Sequence, residues 1–218
     1  MIGPVQLAVI APDGSVRTVA IPGIAAGMAQ PEKPGGVSKF ASPGLVADDS
    51  RAVVLGRESL VEVDLETFAV RSRQLDTRTT ARAAKFVEGW GRSAVWLRGN
   101  AIAYTGWAMS DRRQTTIGVR LVDVTTGATR TLDAGASSVT RAGSTLLVHG
   151  AGLLRGFGLD GTLRFELLEG TDTGYVQVAG RYAYVGSGNS TRFAVVDVQA
   201  GKIVGLARTA KPTVVLQP

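Results

Sequence analysis

Two short anchors recur along this chain, and together they restrict its fold more than any other feature. A glycine closes a short apolar run at Gly56, Gly106, Gly150 and Gly186. The next run then ends at Val63-Asp64-Leu65, Val122-Asp123-Val124, Phe157-Gly158-Leu159 and Val196-Asp197-Val198. A turn follows each time: Glu66-Thr67, Thr125-Thr126-Gly127, Asp160-Gly161 and Gln199-Ala200-Gly201. The clearest copy, Gly174 to Thr209, holds four runs of β-branched and aromatic residues separated by Gly, Ala-Gly and Ser/Asn turns. That pattern predicts a four-stranded antiparallel meander. Meanders repeated every ~36 to 50 residues indicate the blades of a β-propeller. A lone meander has two faces to bury, and radial stacking buries both against its neighbours. This accounts for third strands such as Ala194-Val195-Val196-Asp197-Val198, which are apolar on both faces instead of alternating. A β-sandwich would share the short strands but would not demand the repeated anchors.

The expected fold class is therefore all-β, a propeller of four-stranded antiparallel blades forming a single domain over residues 1–218. Complete units are read at 44–75, 93–133, 137–169 and 174–209. A hairpin of Val5 to Ile10 and Ser15 to Ile21, turning at Ala11-Pro12-Asp13-Gly14, supplies two strands of a fifth blade. Pro212-Thr213-Val214-Val215-Leu216 supplies a third, so this blade is split between the termini. The same reading is compatible with a larger propeller that begins upstream of Met1. Ile24 to Ala41 reads as a Gly/Pro-rich connection and Leu75 to Arg92 as a long one, with a candidate helical turn at Thr79 to Lys85. Trp107 to Thr116 reads as an insertion between the second and third strands of its unit.

Tyr184-Val185, Val195-Val196-Asp197 and Ala200-Gly201-Lys202-Ile203-Val204 resemble the repeat of the bacterial YVTN-type, quinoprotein-like family, and Val122 to Gly127 is similar. The likeness extends over all five units, although the motif is short and degenerate. The Trp-Asp dipeptide of WD40 blades and the paired glycines of kelch blades do not occur in the units. The resemblance implies a WD40-like propeller, in a family whose functions range from lactone hydrolysis to pure binding.

Hydrophobic residues make up 44% of the chain but aromatics only 6%, so a core must be built mainly from Val, Leu, Ile and Ala. Without cysteine, disulfides, thiolate metal sites and cysteine nucleophiles are excluded. A net charge of +6 suits nucleic acid in principle, but the basic residues are spread along the chain. Their densest group (Arg71, Arg73, Arg78, Arg82, Lys85 and Arg92) falls around one connection, and a solvated basic face is the expectation. No run approaches the ~20 apolar residues of a membrane-spanning helix. Met1-Ile2-Gly3-Pro4-Val5 lacks the basic start of a signal peptide. The compartment stays open, and an extracytoplasmic one is compatible with a start upstream.

Convergent titratable groups would mark a catalytic site. The one histidine, His149, ends an apolar strand and reads as a partly buried residue with a backbone partner. Asp48-Asp49 reads as a turn, and Asp64, Asp123 and Asp197 as structural strand ends. No Gly-x-Ser-x-Gly elbow occurs, and no helix follows Gly186-Ser187-Gly188-Asn189-Ser190 to make it a phosphate loop. No metal and no cofactor is expected. The third unit enlarges both connections that open on one face of its blade. These connections gather Trp90, Arg92, Trp107, Met109, Asp111, Arg112 and Arg113, an aromatic and arginine set of the kind that dominates interfaces. The expectation is a monomeric binding module for a protein or small-molecule ligand. The alternative is a lactonase-like hydrolase or lyase with its site in the central channel.

Overall fold

The computed structural model describes residues 2–29, 39–75, 87–110, 113–187 and 192–208. They form nineteen strands in five antiparallel sheets. Sheet one contains β1 (Ile2–Ile10), β2 (Val16–Ala29) and β3 (Lys39–Ala41). Sheet two is β4 (Gly44–Ala47), β5 (Arg51–Leu55), β6 (Ser59–Asp64) and β7 (Val70–Gln74). Sheet three has five strands: β8 (Val87–Trp96), β9 (Ala101–Ser110), β10 (Arg113–Thr116), β11 (Val119–Asp123) and β12 (Thr129–Asp133). Sheet four is β13 (Ala136–Ala142), β14 (Thr145–Gly158) and β15 (Leu163–Asp172). Sheet five is β16 (Tyr175–Ala179), β17 (Tyr182–Gly186), β18 (Arg192–Asp197) and β19 (Lys202–Arg208).

Each sheet packs on the next through its own apolar cluster. Ile21 and Ile24 meet Val54, Val61 and Val63 between sheets one and two. Val53, Leu55 and Leu60 meet Ile102, Tyr104 and Val122 between two and three. Ala103 and Leu121 meet Leu146, Val148 and Phe157 between three and four. Leu147 and Leu154 meet Ala183, Val185 and Val196 between four and five. Neighbours along a strand therefore serve opposite interfaces, as Val53 and Val54 do, because successive side chains point to opposite faces. The first strands of successive sheets lie side by side, with β4 against β8 and β13 between β8 and β16. This is the β-propeller arrangement, with four-stranded antiparallel sheets as its blades.

Strand β14 reads as fourteen continuous residues, yet it makes two strands of a blade. A straight run would hold Leu146 and Phe157 ~36 Å apart, at about 3.3 Å per residue. Both lie in the cluster facing sheet three, so the chain reverses between them. Gly152 provides the left-handed conformation at the reversal (φ +90°). The Thr173 hydroxyl bonds the carbonyls of both Gly150 and Leu153 across it.

The glycine anchors are sites of close approach. A Cβ at Gly150 would lie 2.9 Å from the Ser137 nitrogen, and one at Gly186 would lie 2.9 Å from the Arg192 carbonyl oxygen. Only a residue without a side chain lets the neighbouring strand in. The aspartate anchors tie turns. Asp64 Oδ1 accepts from the amides of Glu66 and Thr67, Asp123 Oδ1 from Thr126, and Asp197 Oδ1 from Gln199 and Ala200.

A third repeated device was not read from the sequence. A strand in each of the first four sheets reaches the turn between the third and fourth strands of the next. The Arg17 guanidinium sits 3.8 Å above the Phe68 ring. Arg73 Nε donates to the Thr125 carbonyl at 2.6 Å, and Arg130 Nη2 donates to that of Asp160 at 3.2 Å. Phe165 packs where a Cβ on Gly201 would stand.

One expected connection is corrected. Much of Ile24 to Ala41 is strand, because β2 continues to Ala29 and β3 pairs with its last residues. The ladder with β1 resumes at Ala25, Ala26 and Gly27, past a bulge at Pro22 to Ile24. The Thr79 to Lys85 segment and Pro212 to Leu216 lie outside the described residues, as do Gly188 to Ser190.

Candidate functional site

Sheet three differs from the others because its first two strands outgrow the blade. Along Ala101 to Tyr104, β9 pairs with β11, as a second strand should. Farther along, Trp107 to Ser110 pairs with β10, while β8 flanks both stretches. The result is a three-stranded ribbon extending past the blade body. The Trp107 to Thr116 insertion, expected as a loop, is thus mostly paired strand. So is the last part of the Leu75 to Arg92 connection, from Val87 onward. Aromatic and β-branched residues here favour pairing over an irregular loop.

Register gathers part of the expected site. Trp90 stands opposite Trp107, which stands opposite Thr116; one rung beyond, Val87 stands opposite Met109, which stands opposite Gln114. Arg113 pairs with Ser110 at the far end of the ribbon. Shifts in register on either side of Trp90 bend β8 along the ribbon. Asp111 and Arg112 lie outside the described residues.

Arg92 belongs to a different feature of the same face. It lines a cleft of about 380 Å³ where sheets one, two and three meet. The β2 bulge at Gly23 to Ala25 forms one wall, Ser42 and Pro43 another, and the β5–β6 turn with Arg57, Glu58 and Ser59 a third. Gln74 also reaches it. Two glycines seat Arg92: a Cβ on Gly106 would fall 2.9 Å from its Cγ, and one on Gly44 would fall 3.4 Å from its Cβ. Its guanidinium lies 6.0 Å from the ring centre of Tyr104, which is buried. Arg57 pairs with Glu58 at 3.4 Å in the open turn. Arg57, Glu58 and Gln74 were missed in the sequence, although Gly56-Arg57-Glu58-Ser59 occupies the unit-two turn equivalent to the enlarged unit-three connection.

A smaller cleft of about 230 Å³ occurs where sheet three meets sheet four, lined by Asp133, Val148, Gly150, Leu153 and Arg155. Its charges satisfy one another. Arg155 Nε donates to Glu166 at 2.7 Å and Nη1 to Asp133 at 2.5 Å. These carboxylates, Glu166 foremost, hold the guanidinium above its ordinary pKa. Asp133 also accepts from the amides of Gly135 and Ala136.

His149 is 4% exposed, and its Nδ1 lies 2.7 Å from the Thr173 carbonyl. A carbonyl only accepts, so Nδ1 carries the proton. Burial pushes the imidazole pKa down, against the smaller opposing effect of this bond. The ring is a neutral strand-end group, as expected. The Thr67 amide and hydroxyl, in that order, lower the Asp64 pKa, and the Arg181 guanidinium does the same for Asp197.

No protein-family model matches the chain, and no curated protein matches it in sequence. Solved structures do. AztD of Citrobacter koseri aligns with a TM-score of 0.54 at 15% identity over 94% of this chain and 56% of its own. The dihydro-heme d1 dehydrogenase NirN, in complex with DHE, gives 0.54 at 11% identity over 92% of this chain and 41% of its own. A chain of the mitotic checkpoint complex gives 0.50 at 12% identity, covering 84% and 57%. AztD and NirN are β-propeller proteins, and at such identities the likeness supports the fold alone. The chain spans about half the length of the structures it matches.

Proposed function

We propose that this chain is a non-catalytic propeller module that binds a protein or small-molecule ligand through the face bearing the sheet-three ribbon. The carrying observation is the rung of Trp90 against Trp107 on a ribbon that extends beyond its own blade. Strand pairing fixes this backbone, so aromatic contacts made from it would lose little entropy on binding. Tryptophan and arginine are also the residues most often found at the energetic centre of interfaces. The repeat itself we assign to the YVTN-type, quinoprotein-like class on its Val-Asp-Val and Ala-Gly-Lys turns. The lactonase-like alternative draws no support from His149, whose Nδ1 is committed to a backbone carbonyl.

The test immobilises the wild-type chain and Trp90→Ala, Trp107→Ala and Leu206→Ala variants and exposes each to extract of the source cells. Leu206, 78% exposed on β19, is the control. A species retained by wild type and Leu206→Ala but lost by both tryptophan variants supports the reading. Retention by all four chains overturns it.

A further inference from the structure

We propose that sheet five of one copy of this chain packs on sheet one of a second copy, so that two copies close head to tail into a ring, in place of the monomer read from the sequence. The contact goes beyond the role given to the sheet-three ribbon and does not depend on it.

Three observations carry it. First, the sheets between the ends bury both faces, whereas each end sheet buries one. In sheet one, Val5, Leu7, Val19 and Ile21 face sheet two, while Gln6, Ala8, Thr18 and Ala20 on the other face are exposed. In sheet five, Ala183, Val185 and Val196 face sheet four, while Tyr175, Tyr182, Tyr184 and Val195 face away from it. Three of the four tyrosines of the chain thus gather on one open face, and Tyr182 is 37% exposed. Bulky rings on one end and small side chains on the other are what interdigitating layers require.

Second, sheet one holds a turn shaped for a latch that no described residue supplies. In the β1–β2 turn the Gly14 amide donates to the Ala11 carbonyl, and Asp13 Oδ1 accepts from the Ser15 amide. The turn before β15 repeats both bonds, from Gly161 to Gly158 and from Thr162 to Asp160. A Cβ on Gly127, Gly161 or Gly201 would collide with Gln74, Arg130 or Phe165, which the preceding sheet brings there. Gly14 has the same left-handed conformation (φ +82°), yet a Cβ on it would meet nothing within 4 Å.

Third, β19 carries residues for that turn. It starts with Lys202, exposed opposite Asp197, and Val204, 48% exposed, at the end of the strand where β12 and β15 carry Arg130 and Phe165. Lys202 and Asp13 bring opposite charges to the contact. A head-to-tail contact made twice closes a ring. AztD and NirN are matched over 56% and 41% of their length, so two copies supply about the length of one such propeller chain.

The experiment is sedimentation equilibrium on the full chain over a dilution series. Wild type should show the mass of a dimer that dissociates on dilution. Ala20→Arg in sheet one and Tyr184→Arg in sheet five should each weaken the dimer by roughly tenfold or more, since either buries an unpaired charge. An equimolar mixture of the two variants should regain association, because each chain keeps the face that the other has lost. Thr18→Arg, exposed on the same face, replaces Ala20→Arg should that variant fold poorly. The inference fails if wild type is a monomer at every concentration, if either variant dimerises like wild type, or if the mixture stays monomeric. A monomer whose urea midpoint falls on Ala20→Arg would instead place a segment of the chain itself, such as residues 209–218, on that face. Trp107→Ala should leave the dimer unchanged while abolishing capture of the ribbon's partner.

Discussion

Sheets two and three are built from the same four-strand plan and end differently. In sheet two, every strand stops where its interfaces stop, and β4 to β7 pair residue by residue within the blade. Five successive residues, Ala52 to Gly56, are buried. In sheet three, Ile102 to Tyr104 do the same work, but β8 and β9 then continue into a ribbon that β10 completes. The four-strand plan accounts for sheet two, and the sheet-three ribbon exceeds it. The comparison separates residues that the propeller needs from residues that it presents.

Removing packing should therefore cost far more than removing presentation. Leu60 is fully buried between the two sheets, and Leu60→Ala should cost about 2–5 kcal/mol in urea unfolding, with the cavity adding to the lost transfer energy. Trp107→Ala should cost about 1 kcal/mol or less, since its rung with Thr116 lies beyond the β9–β11 pairing of the blade. Comparable losses would mean that the ribbon is structural after all. Next comes Gly150→Ala, which drives a Cβ to within 3.0 Å of Ala136 Cα and 2.9 Å of the Ser137 nitrogen. Backbone cannot rotate aside as a side chain can, so a loss of about 1–3 kcal/mol is expected in the same assay.

The link between the two sheets is smaller again. Arg51 of sheet two donates to the Gly99 carbonyl at 2.7 Å and to Asn100 Oδ1 at 2.8 Å, and lies 4.5 Å from the Trp96 ring centre. Arg51→Ala should lower stability by about 1–2 kcal/mol, since these contacts are partly solvated. A double-mutant cycle with Asn100→Ala should show coupling, and strict additivity would show that the two sheets are not joined there.

These residues also mark what the sequence could reveal. Gly56, Gly106, Gly150 and Gly186 were legible because steric exclusion allows one residue type, and Asp64 and Asp197 because a carboxylate tying a turn needs a fixed offset. The four strands of sheet two follow from those anchors directly. Trp107 to Ser110 did not read as strand, because its partners in β8 and β10 belong to a pairing that no other unit repeats. The Arg57–Arg92 cleft was hidden for another reason. It is assembled from three sheets, and only the packing brings residues 35 positions apart around one cleft. The latches of Arg73 and Arg130 end on backbone carbonyls, which carry no residue signature.

The smallest effect concerns the boundary of sheets four and five, where the regular pattern contains one titratable core residue. His149 is buried neutral, with its pKa below the ordinary 6.5. In the unfolded chain it takes up a proton near pH 6.5, while in the folded chain it resists until lower pH. The unfolded state therefore binds more protons below that point, and stability falls as pH drops from 6.5 toward the folded value. The turn aspartates Asp64, Asp160 and Asp197 lie below their ordinary 3.8, so their loss begins only at more acid pH. The chain holds no second histidine, which makes the window just below pH 6.5 a clean readout. Urea midpoints of wild type should decline from pH 7.5 to 5.5, and those of His149→Gln should change less. Equal slopes in the two chains would show that His149 is protonated in the fold as readily as in the open chain. The boundary between sheets four and five would then admit charge that the one between sheets two and three, lined by Val53, Leu60 and Ile102, excludes.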